Sequence, residues 1–539
     1  TLEKLIQLAD YSFILFTNAL CPCVIARFTN QPPNLASHIV EYITPKVTRV
    51  DLRQGVIPIT PCERKEIPLR SLLGAATQKM ATIAWKSRFW GTQRDLKFLN
   101  HLFALPKLAD MVDQLSQTRG KRKNQWVAGE GCKPWSLDSK KKSDRILRPF
   151  REPGDNWYKK DSFITPKGVE GQIFLPQLIC DTVSTHFAAK GYSTEKLYSK
   201  PPAALFTPPL VLFNRGFTDA AFFDYPVRFQ HALRSVAGEA GAEDQLMFLA
   251  AYLRSKLARY FAFHTSASLG SERDQVHTYE VLQLPFYLPG DENEVTPSSK
   301  SLMHQVVSKL KSLKKRAEES AAKMEERLNP TAFRLNYSDE GDREEEYSKW
   351  LAEWAAKTAK MQAEIEPLLY EYFGIIGQEQ ALVEDTCDIF DRSDTPPAVD
   401  APMPTLEPLG SDGLENYAQM LTGTLREWSR GQTLNLSMTA GVESQLGVAL
   451  LRVEQTKGSR VFRTAPLAKE FAEAIKRLET AATVVNGSIK YVQDETWYFE
   501  DSNIYIAKPA LRGRWTRTVA LNDAAEIHAN IQSSRRSKS

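Results

Sequence analysis

Lysine, arginine and aromatic side chains alternate over one stretch of the sequence, residues 119–168. This stretch contains 14 Lys and Arg against six Asp and Glu, an excess of eight positive charges in a chain whose net charge is +4. Lysine and arginine neutralise phosphates and release their counter-ions, while aromatic rings stack on bases or pack beside them. The pattern indicates nucleic-acid contact; the alternative is a solvated loop whose tryptophans belong to the core. The candidate residues are Lys121, Arg122, Lys123, Trp126, Lys140, Lys141, Lys142, Arg145 and Arg148.

A second pattern is that of a metal-dependent nuclease. Asp51, Glu63 and Lys65 have the loose acid…Glu-x-Lys spacing in which carboxylates bind Mg²⁺. This pattern is short and common, so ordinary surface charges are the favoured interpretation. Of the six cysteines only Cys21 and Cys23 are close together, and a C-x-C pair without a second pair or a histidine cluster is a poor zinc site. We therefore expect no metal site.

The composition limits the class of protein. A length of 539 residues predicts three or four domains, and 42% hydrophobic with 25% charged residues are typical of a soluble globular protein. No apolar run approaches the roughly 20 residues of a membrane span, and residues 11–28, the nearest case, lack the features of a signal peptide. We expect a cytoplasmic protein without membrane contact. The first residue, Thr1, is not a methionine, which leaves open whether it is the natural start.

Hydrophobic periodicity predicts the elements that position these residues. Residues 1–75 have an α/β pattern, with a helix from Leu5 to Phe16 and a strand from Cys23 to Phe28. Residues 76–118 predict helices. The elements predicted after the basic stretch are strands at Pro209–Phe213 and Ala220–Phe223 and a helix at Glu243–Phe263.

Two long amphipathic helices are predicted next. Apolar residues recur every three or four positions from Leu302 to Leu328, where Asn329-Pro330 stops the helix, and again from Tyr347 to Leu369, with a kink expected at Pro367. Because a short polar loop joins them, we predict an antiparallel helical hairpin. Residues 391–413 are rich in Pro, Asp and Ser, which is typical of a linker.

One region resembles a known family. The segments Phe248–Phe261, Thr265–Ser268 and Leu282–Pro289 resemble the end of a target recognition domain of type I specificity subunits and of fused, type IIG-like N6-adenine DNA methyltransferases. In that family a helix with an L-N-S-K-L core precedes an L-x-x-L-P-x-P strand. Here Arg254 replaces the asparagine, which leaves the role of that position open. Residues 208–216 are similar to the family's strand before the DNA-facing loops.

The resemblance extends to other regions of the chain. Residues 299–373 are similar to the spacer helices that follow such domains, and residues 372–385 to the family's usual exit. Residues 1–75 look like the last strands of a methyltransferase catalytic domain. Residues 504–526 look like an appendage of large methylases from bacterial defence loci.

The family implies methylation of adenine in duplex DNA by S-adenosyl-L-methionine. This reaction needs a Gly-rich turn after a strand and an Asn/Asp-Pro-Pro-aromatic loop that holds the flipped base. The sequence contains neither, because Phe373–Gly377 ends a long helix and Gln31–Asn34 places its prolines among other residue types. We therefore expect no catalytic residues and no cofactor in this chain. S-adenosyl-L-methionine is expected on an upstream or partner catalytic domain.

With the resemblance, the basic stretch is interpreted as a DNA-binding region, and Arg215 and Arg273 are added as further contacts. Arg254, Lys256 and Arg259 are expected on a solvated helix face. The expected partners are duplex DNA, a methyltransferase catalytic domain or subunit, and other subunits of a bacterial restriction-modification or antiphage system. The alternative is a non-enzymatic scaffold of a defence complex, in which the helical hairpin binds a protein partner.

The sequence thus predicts a multidomain α/β protein. Its predicted parts are a methyltransferase-like tail (1–75), a helical connector (76–118), a mixed α/β target recognition domain (119–298), a helical spacer (299–392), a linker (393–412) and a small α/β accessory module (413–539).

Overall fold

The computed structural model of the chain divides into two compact units. The terminal unit comprises residues 1–96, 270–273 and 377–539, and the central unit comprises residues 97–269 and 274–376. Both contain helices and β-sheets, which confirms the predicted α/β class. The structure describes residues 1–11, 15, 23–46, 59, 63–73, 78–114, 124, 126–136, 148–149, 163–164, 192–199, 201–217, 219–225, 227–229, 231–270, 275–290, 296–328, 340–391, 403–428, 435–443, 446–454, 462–467, 469–473, 476, 496–500 and 503–536.

The terminal unit begins with a four-stranded sheet. Its strands are β1 (Leu2–Gln7), β2 (Val24–Phe28), β3 (Ile39–Ile43) and β4 (Arg64–Pro68). The order is β2-β1-β3-β4, with β1 parallel to β3 and the other pairs antiparallel. The predicted strand at Cys23–Phe28 is confirmed. The predicted helix at Leu5–Phe16 is wrong at its start, because Leu5 is in β1 and pairs with Tyr42.

Short helices follow in the region where helices were predicted, residues 76–118, but Val112–Gln114 at its end form a strand instead. Phe98, Leu99 and Leu102 are each at most 2% exposed, and the Tyr42 and Trp85 rings meet edge to face at 5.1 Å. The helices are α1 (Leu69–Leu73), α2 (Gln78–Lys86), α3 (Gln93–Ala104) and α4 (Leu108–Met111).

The central unit is built on a five-stranded sheet. The strands of this unit are β5 (Val112–Gln114), β6 (Trp126–Glu130), β7 (Lys133–Ser136), β8 (Arg148–Pro149), β9 (Phe163–Ile164), β10 (Tyr192–Ser199), β11 (Leu210–Asn214), β12 (Ala220–Phe223), β13 (Arg228–Phe229) and β14 (Leu233–Ala237). The large sheet has the order β12-β11-β14-β6-β5, and only β5 and β6 are parallel. The strands predicted at 209–213 and 220–223 are confirmed.

Three helices follow this sheet: α5 (Glu243–Leu253), α6 (Lys256–Thr265) and α7 (Thr278–Val281). The single helix predicted at Glu243–Phe263 is wrong, because the chain breaks at Ser255. The Ser255 hydroxyl accepts the Ala258 amide hydrogen (3.1 Å), which makes Ser255 the N-cap of α6. The Glu366 carboxylate also accepts the Lys256 amide hydrogen (3.0 Å). Two side chains thus satisfy backbone donors at the new helix start.

Two long helices complete the central unit: α8 (Ser299–Leu328) and α9 (Glu340–Tyr372). Lys309 of α8 bonds to Glu364 of α9 (3.0 Å), whereas Ser320, further along α8, accepts the indole hydrogen of the earlier Trp350 (2.9 Å). Contacts that shift in opposite directions along the two helices show that the pair runs antiparallel. Helix α9 ends before Gly374, which has a φ of 67°, as its position after a long apolar helix predicts.

The rest of the terminal unit packs helices against a five-stranded sheet. The elements are α10 (Gly377–Asp385), α11 (Ser411–Trp428), β15 (Asn435–Glu443), β16 (Leu446–Glu454), β17 (Phe462–Thr464), β18 (Thr496–Glu500), β19 (Asn503–Pro509) and α12 (Arg517–Arg536). The sheet has the order β17-β15-β16-β19-β18, with β15 and β17 parallel. Buried Tyr417, Leu421, Ile506 and Trp515 form part of its core.

Part of the predicted linker belongs to this packed structure. Met403 and Leu406 are each 5% exposed and lie in one apolar cluster with Leu8 and Tyr11. Residues 403–410 therefore contribute to the core of the terminal unit. A pattern rich in proline had suggested an extended connection here, but the apolar side chains between the prolines decide the packing.

Candidate nucleic-acid interface

The predicted DNA-binding residues fall partly outside the described structure. Lys121–Lys123, Lys140–Lys142, Arg145 and Arg273 lie outside the described residues, and Arg148 is in β8 without a described side chain. Arg215 and Trp126 are described in full. The geometry of the site therefore rests on these two residues and on the groups around them.

Trp126 lies in the core of the central unit. It begins β6, is 3% exposed, and its ring lies 6.4 Å from that of Phe286. A ring packed in this way has no free face for a base. Its position agrees with the alternative stated above for the tryptophans of the basic stretch, and Trp126 is not retained as a DNA contact.

Two arginines and one carboxylate converge at one end of the three inner strands of the five-stranded sheet. Arg234 of β14 stands opposite Glu130 of β6 in the antiparallel register and opposite Phe213 of β11. Arg215 follows Phe213 by two residues, so it continues on the same side of the sheet. The same Glu130 oxygen, Oε1, lies 3.7 Å from Arg215 Nη2 and 3.7 Å from Arg234 Nε. Neighbouring strands thus bring these three charges together.

Backbone groups fix both guanidinium groups. Arg234 Nη1 donates to the Val276 carbonyl, and Arg215 Nη2 donates to the His231 carbonyl (3.3 Å). The Val276 amide in turn donates to the Arg215 carbonyl (2.8 Å). The exposure of the three charged side chains differs: Arg234 is 2% exposed, Arg215 32% and Glu130 47%. Arg215 and Glu130 therefore face solvent, with Arg234 buried behind them.

The pKa values at this site reflect burial and surplus positive charge. Burial lowers the pKa of Arg234, the Glu130 charge opposes this effect and the Arg215 charge adds to it, which together bring the pKa to about 10. Arg234 still carries its charge at neutral pH. The pKa of His231 is lowered, first by burial and then by the positive charges of Arg215 and Lys133.

The turn that carries Arg215 is held by two arginines from the helices. Arg254 donates to the Asp219 carboxylate (3.3 Å) and to the Ala220 carbonyl (3.2 Å), while Arg259 donates to the Gly216 carbonyl (2.6 Å). The Arg254 side chain is only 9% exposed. The expectation that Arg254 and Arg259 lie on a solvated helix face is therefore wrong.

These contacts give a role to Arg254, the residue that replaces asparagine in the family pattern. It connects the corner between α5 and α6 to the β11–β12 turn, which includes buried Phe217 with a positive φ of 56°. Such a backbone conformation is unusual for a non-glycine residue and needs surrounding contacts to hold it. The turn is thereby fixed, and with it the position of Arg215.

One end of the Lys121–Lys123 segment is attached to the same sheet. Asn124, the next residue, donates from its backbone amide to Asp113 Oδ2 (2.9 Å) and from its side-chain amide to Asp113 Oδ1 (3.3 Å). Asp113 lies in β5, which pairs with β6. The basic segment therefore leads directly into the strand that carries Glu130.

Glu63 and Lys65, two residues of the nuclease pattern, have structural contacts in the terminal unit. Glu63 Oε1 accepts the Lys46 amide hydrogen (3.0 Å). The Lys65 ammonium donates to the Thr44 hydroxyl (3.1 Å) and to the Phe89 carbonyl (3.2 Å). Asp51 lies outside the described residues. In the part of the chain that the structure describes, no group of three or more His, Cys, Asp or Glu side chains is arranged to bind a metal ion.

Sequence reasoning missed Glu130, His231 and Arg234. Glu130 was counted only as one of the acids that reduce the charge of the basic stretch, and Arg234 is the one charged residue in the segment Leu233–Ala237. A charged residue inside an otherwise uncharged strand is a usable signal, because burial of a charge requires a partner. The identity of that partner depends on strand register, which the sequence does not show.

The sequence matches no protein-family model, and no curated protein matches it. Within the described ranges, no helix is both long and apolar enough to cross a membrane.

Proposed function

We propose that this chain recognises duplex DNA for an adenine-N6 methyltransferase that uses S-adenosyl-L-methionine. A separate catalytic domain or subunit performs the methyl transfer, and the system serves bacterial restriction-modification or antiphage defence in the cytoplasm. The central unit acts as the target recognition domain, and the helix pair α8–α9 as the spacer that follows it. The methyltransferase assignment is supported by the resemblance of segments 248–261 and 282–289 to such domains.

One observation carries the DNA-binding part of this proposal. Arg215 and Lys133 place positive charge near His231, and buried Arg234 lies beside Arg215. The carboxylates of Glu130 and Glu280 partly balance these three cations. This surplus of positive charge lies at the end of β6 from which the basic stretch 119–168 continues. A local positive field of this kind attracts phosphates even when the net charge of the whole chain is small.

A salt titration tests the proposal. The full chain is titrated with a fluorescent duplex of roughly 30 base pairs between about 50 and 200 mM salt, and binding is followed by anisotropy. Affinity is expected to fall steeply with salt, because each phosphate contact releases counter-ions. Neutralising Lys121–Lys123 or Lys140–Lys142 to glutamine should weaken binding about 10- to 100-fold and reduce the salt slope by about 2 to 3.

A matched control removes the same charge elsewhere. Lys300, Lys315 and Lys323 are exposed on α8, and their replacement by glutamine should leave affinity within about twofold, because at ~0.1 M salt charges beyond ~10 Å are largely screened. Selection from a random duplex pool should then enrich one adenine-containing site. Absence of salt-dependent binding, or equal losses in all three triple variants, would favour the scaffold alternative instead.

A further inference from the structure

We infer that Glu130 is an internal counter-ion of Arg215, and that a backbone phosphate of the bound nucleic acid displaces it. Arg215 would contact the phosphodiester, and buried Arg234 would add positive charge from beneath. This inference rests on the proposed DNA-binding function and adds a residue that regulates its strength.

The distances favour exchange over a permanent ion pair. Glu130 Oε1 lies 3.7 Å from both guanidinium groups, beyond the 2.7–3.2 Å typical of a hydrogen bond between nitrogen and oxygen. The carboxylate is also half-exposed, so leaving its position costs little desolvation. In contrast, backbone carbonyls fix both arginines. The anion is therefore the movable part of this cluster.

The arginines retain donors for an incoming anion. Arg215 Nε and Arg234 Nε are buried nitrogen atoms that have no hydrogen-bond partner among the described residues. Unsatisfied buried donors on charged groups are uncommon and point to a missing ligand or to an alternative arrangement. Guanidinium groups bind phosphate with two parallel hydrogen bonds, a geometry that Glu130 does not provide here.

The position of Glu130 fits this role. It ends β6, and Arg215 directly follows the end of β11, so both lie at the same end of the sheet. A nucleic-acid backbone that crosses this end of the sheet would meet Arg215 with Glu130 beside it. A phosphate and the carboxylate repel each other, so Glu130 turns toward solvent when the phosphate binds.

Charge removal at Glu130 tests the inference. Glu130→Gln should bind the duplex about 3- to 10-fold more tightly at ~50 mM salt, because one repelling charge at close range is lost. Its salt slope should become steeper by up to about one, since dissolved anions then replace the carboxylate on Arg215 and are released. Glu239→Gln, a change at an exposed acid of the same unit, should alter neither quantity.

The double variant separates exchange from general repulsion. Arg215→Gln should weaken binding by about 3- to 10-fold, and Glu130→Gln made in that background should improve it less than twofold, since the exchange partner is missing. Arg215→Lys keeps the charge and is measured as well, so that a folding defect of the glutamine variant does not decide the result. The inference would be overturned if Glu130→Gln tightened duplex binding as much in the Arg215→Gln and Arg215→Lys variants as in the wild type. Long-range repulsion between Glu130 and the duplex would then explain the effect.

A titration with inorganic phosphate distinguishes this inference from the proposed function. Inorganic phosphate is titrated by calorimetry into the wild type, Glu130→Gln and Arg215→Gln. Glu130→Gln should bind phosphate at least threefold more tightly than the wild type, and Arg215→Gln should show no binding. If the wild type binds no duplex but the phosphate pattern holds, the proposed function fails and the anion site stands. If the wild type binds the duplex but Glu130→Gln tightens neither duplex nor phosphate binding, the inference fails and the proposed function stands.

Discussion

Two aspartates at the ends of one strand allow burial and distance to be compared as determinants of stability. Asp219 precedes β12 and Asp224 follows it. Asp219 lies 3.3 Å from Arg254, whereas Asp224 lies 2.7 Å from Lys314. Distance alone predicts that Asp224→Asn is the more harmful change. We predict the opposite.

The burial of the Asp219–Arg254 pair determines how much unfolding free energy Asp219→Asn should lose. Asp219 and Arg254 are 15% and 9% exposed, so removal of the carboxylate charge takes the ion-pair partner from a buried cation, which still donates to the Ala220 carbonyl. Loss of one partner of a buried ion pair costs about 3–5 kcal/mol. The asparagine oxygen still accepts a hydrogen bond, which lowers the expected cost to about 2–3 kcal/mol.

The Asp224–Lys314 pair, which serves as the control, contributes much less to the free energy of unfolding. Asp224 is 44% exposed, and Lys314 keeps a bond to Glu318 when Asp224 loses its charge. Ion pairs in contact with water contribute about 0–1 kcal/mol after screening. Asp224→Asn should therefore lower the free energy of unfolding by less than about 1 kcal/mol.

Calorimetry and hydrogen exchange measure the difference. A loss of 2–3 kcal/mol lowers the melting temperature of a unit of this size by about 5–10 °C. Amide hydrogens in residues 210–224 should exchange about 30- to 100-fold faster in Asp219→Asn, if opening of the turn controls exchange. Equal effects of the two substitutions, or a larger effect of Asp224→Asn, would refute the argument from burial.

Two further predictions concern buried charges. Lys508 is fully buried, 2.6 Å from Asp523. Lys508→Met removes this cation from the buried carboxylate, to which the Tyr417 hydroxyl still donates, and should lower the free energy of unfolding in urea by about 3–5 kcal/mol. A loss below about 1 kcal/mol would contradict this. The pKa of His231 is lowered by burial, then by Arg215 and Lys133. The unfolded chain therefore binds the proton more readily, and the free energy of unfolding falls as pH drops from about 6.5 toward the lower folded pKa. His231→Gln should lack this part of the pH dependence, and an unchanged curve would count against it.

The sequence predicted elements best where local pattern alone decides them. The strand at Val24–Phe28 and the end of α9 before Gly374 depend on nearby residues, and both were predicted correctly. The strand Leu2–Gln7 was taken for the start of a helix, since a short apolar run fits either element. Its state depends on pairing with β3, more than thirty residues away. The break at Ser255 likewise involves Glu366, which lies in another helix.

The candidate site also depends on contacts between residues that are distant in the sequence, and these contacts were not predicted. Composition identified the basic stretch, and the family pattern identified Arg215. Neither showed that Arg234 would stand opposite Glu130, because this depends on the register of β14 and β6. A shift of one residue would place Arg234 on the other face of the sheet and separate it from Glu130. Sequence patterns thus show which charges are present, whereas register determines which of them meet.

An internal counter-ion also explains how a cluster of cations remains compatible with a stable fold. Arg215 and Arg234 lie close together, and like charges at short range oppose folding unless an anion separates them. Glu130 supplies that anion in the free protein without occupying the donors at hydrogen-bonding distance. Its removal should therefore have opposite effects on the two properties: tighter duplex binding and a lower free energy of unfolding. A substitution at Glu130 that strengthened both would show that the carboxylate does not stabilise the arginine pair, and the exchange argument would lose its physical basis.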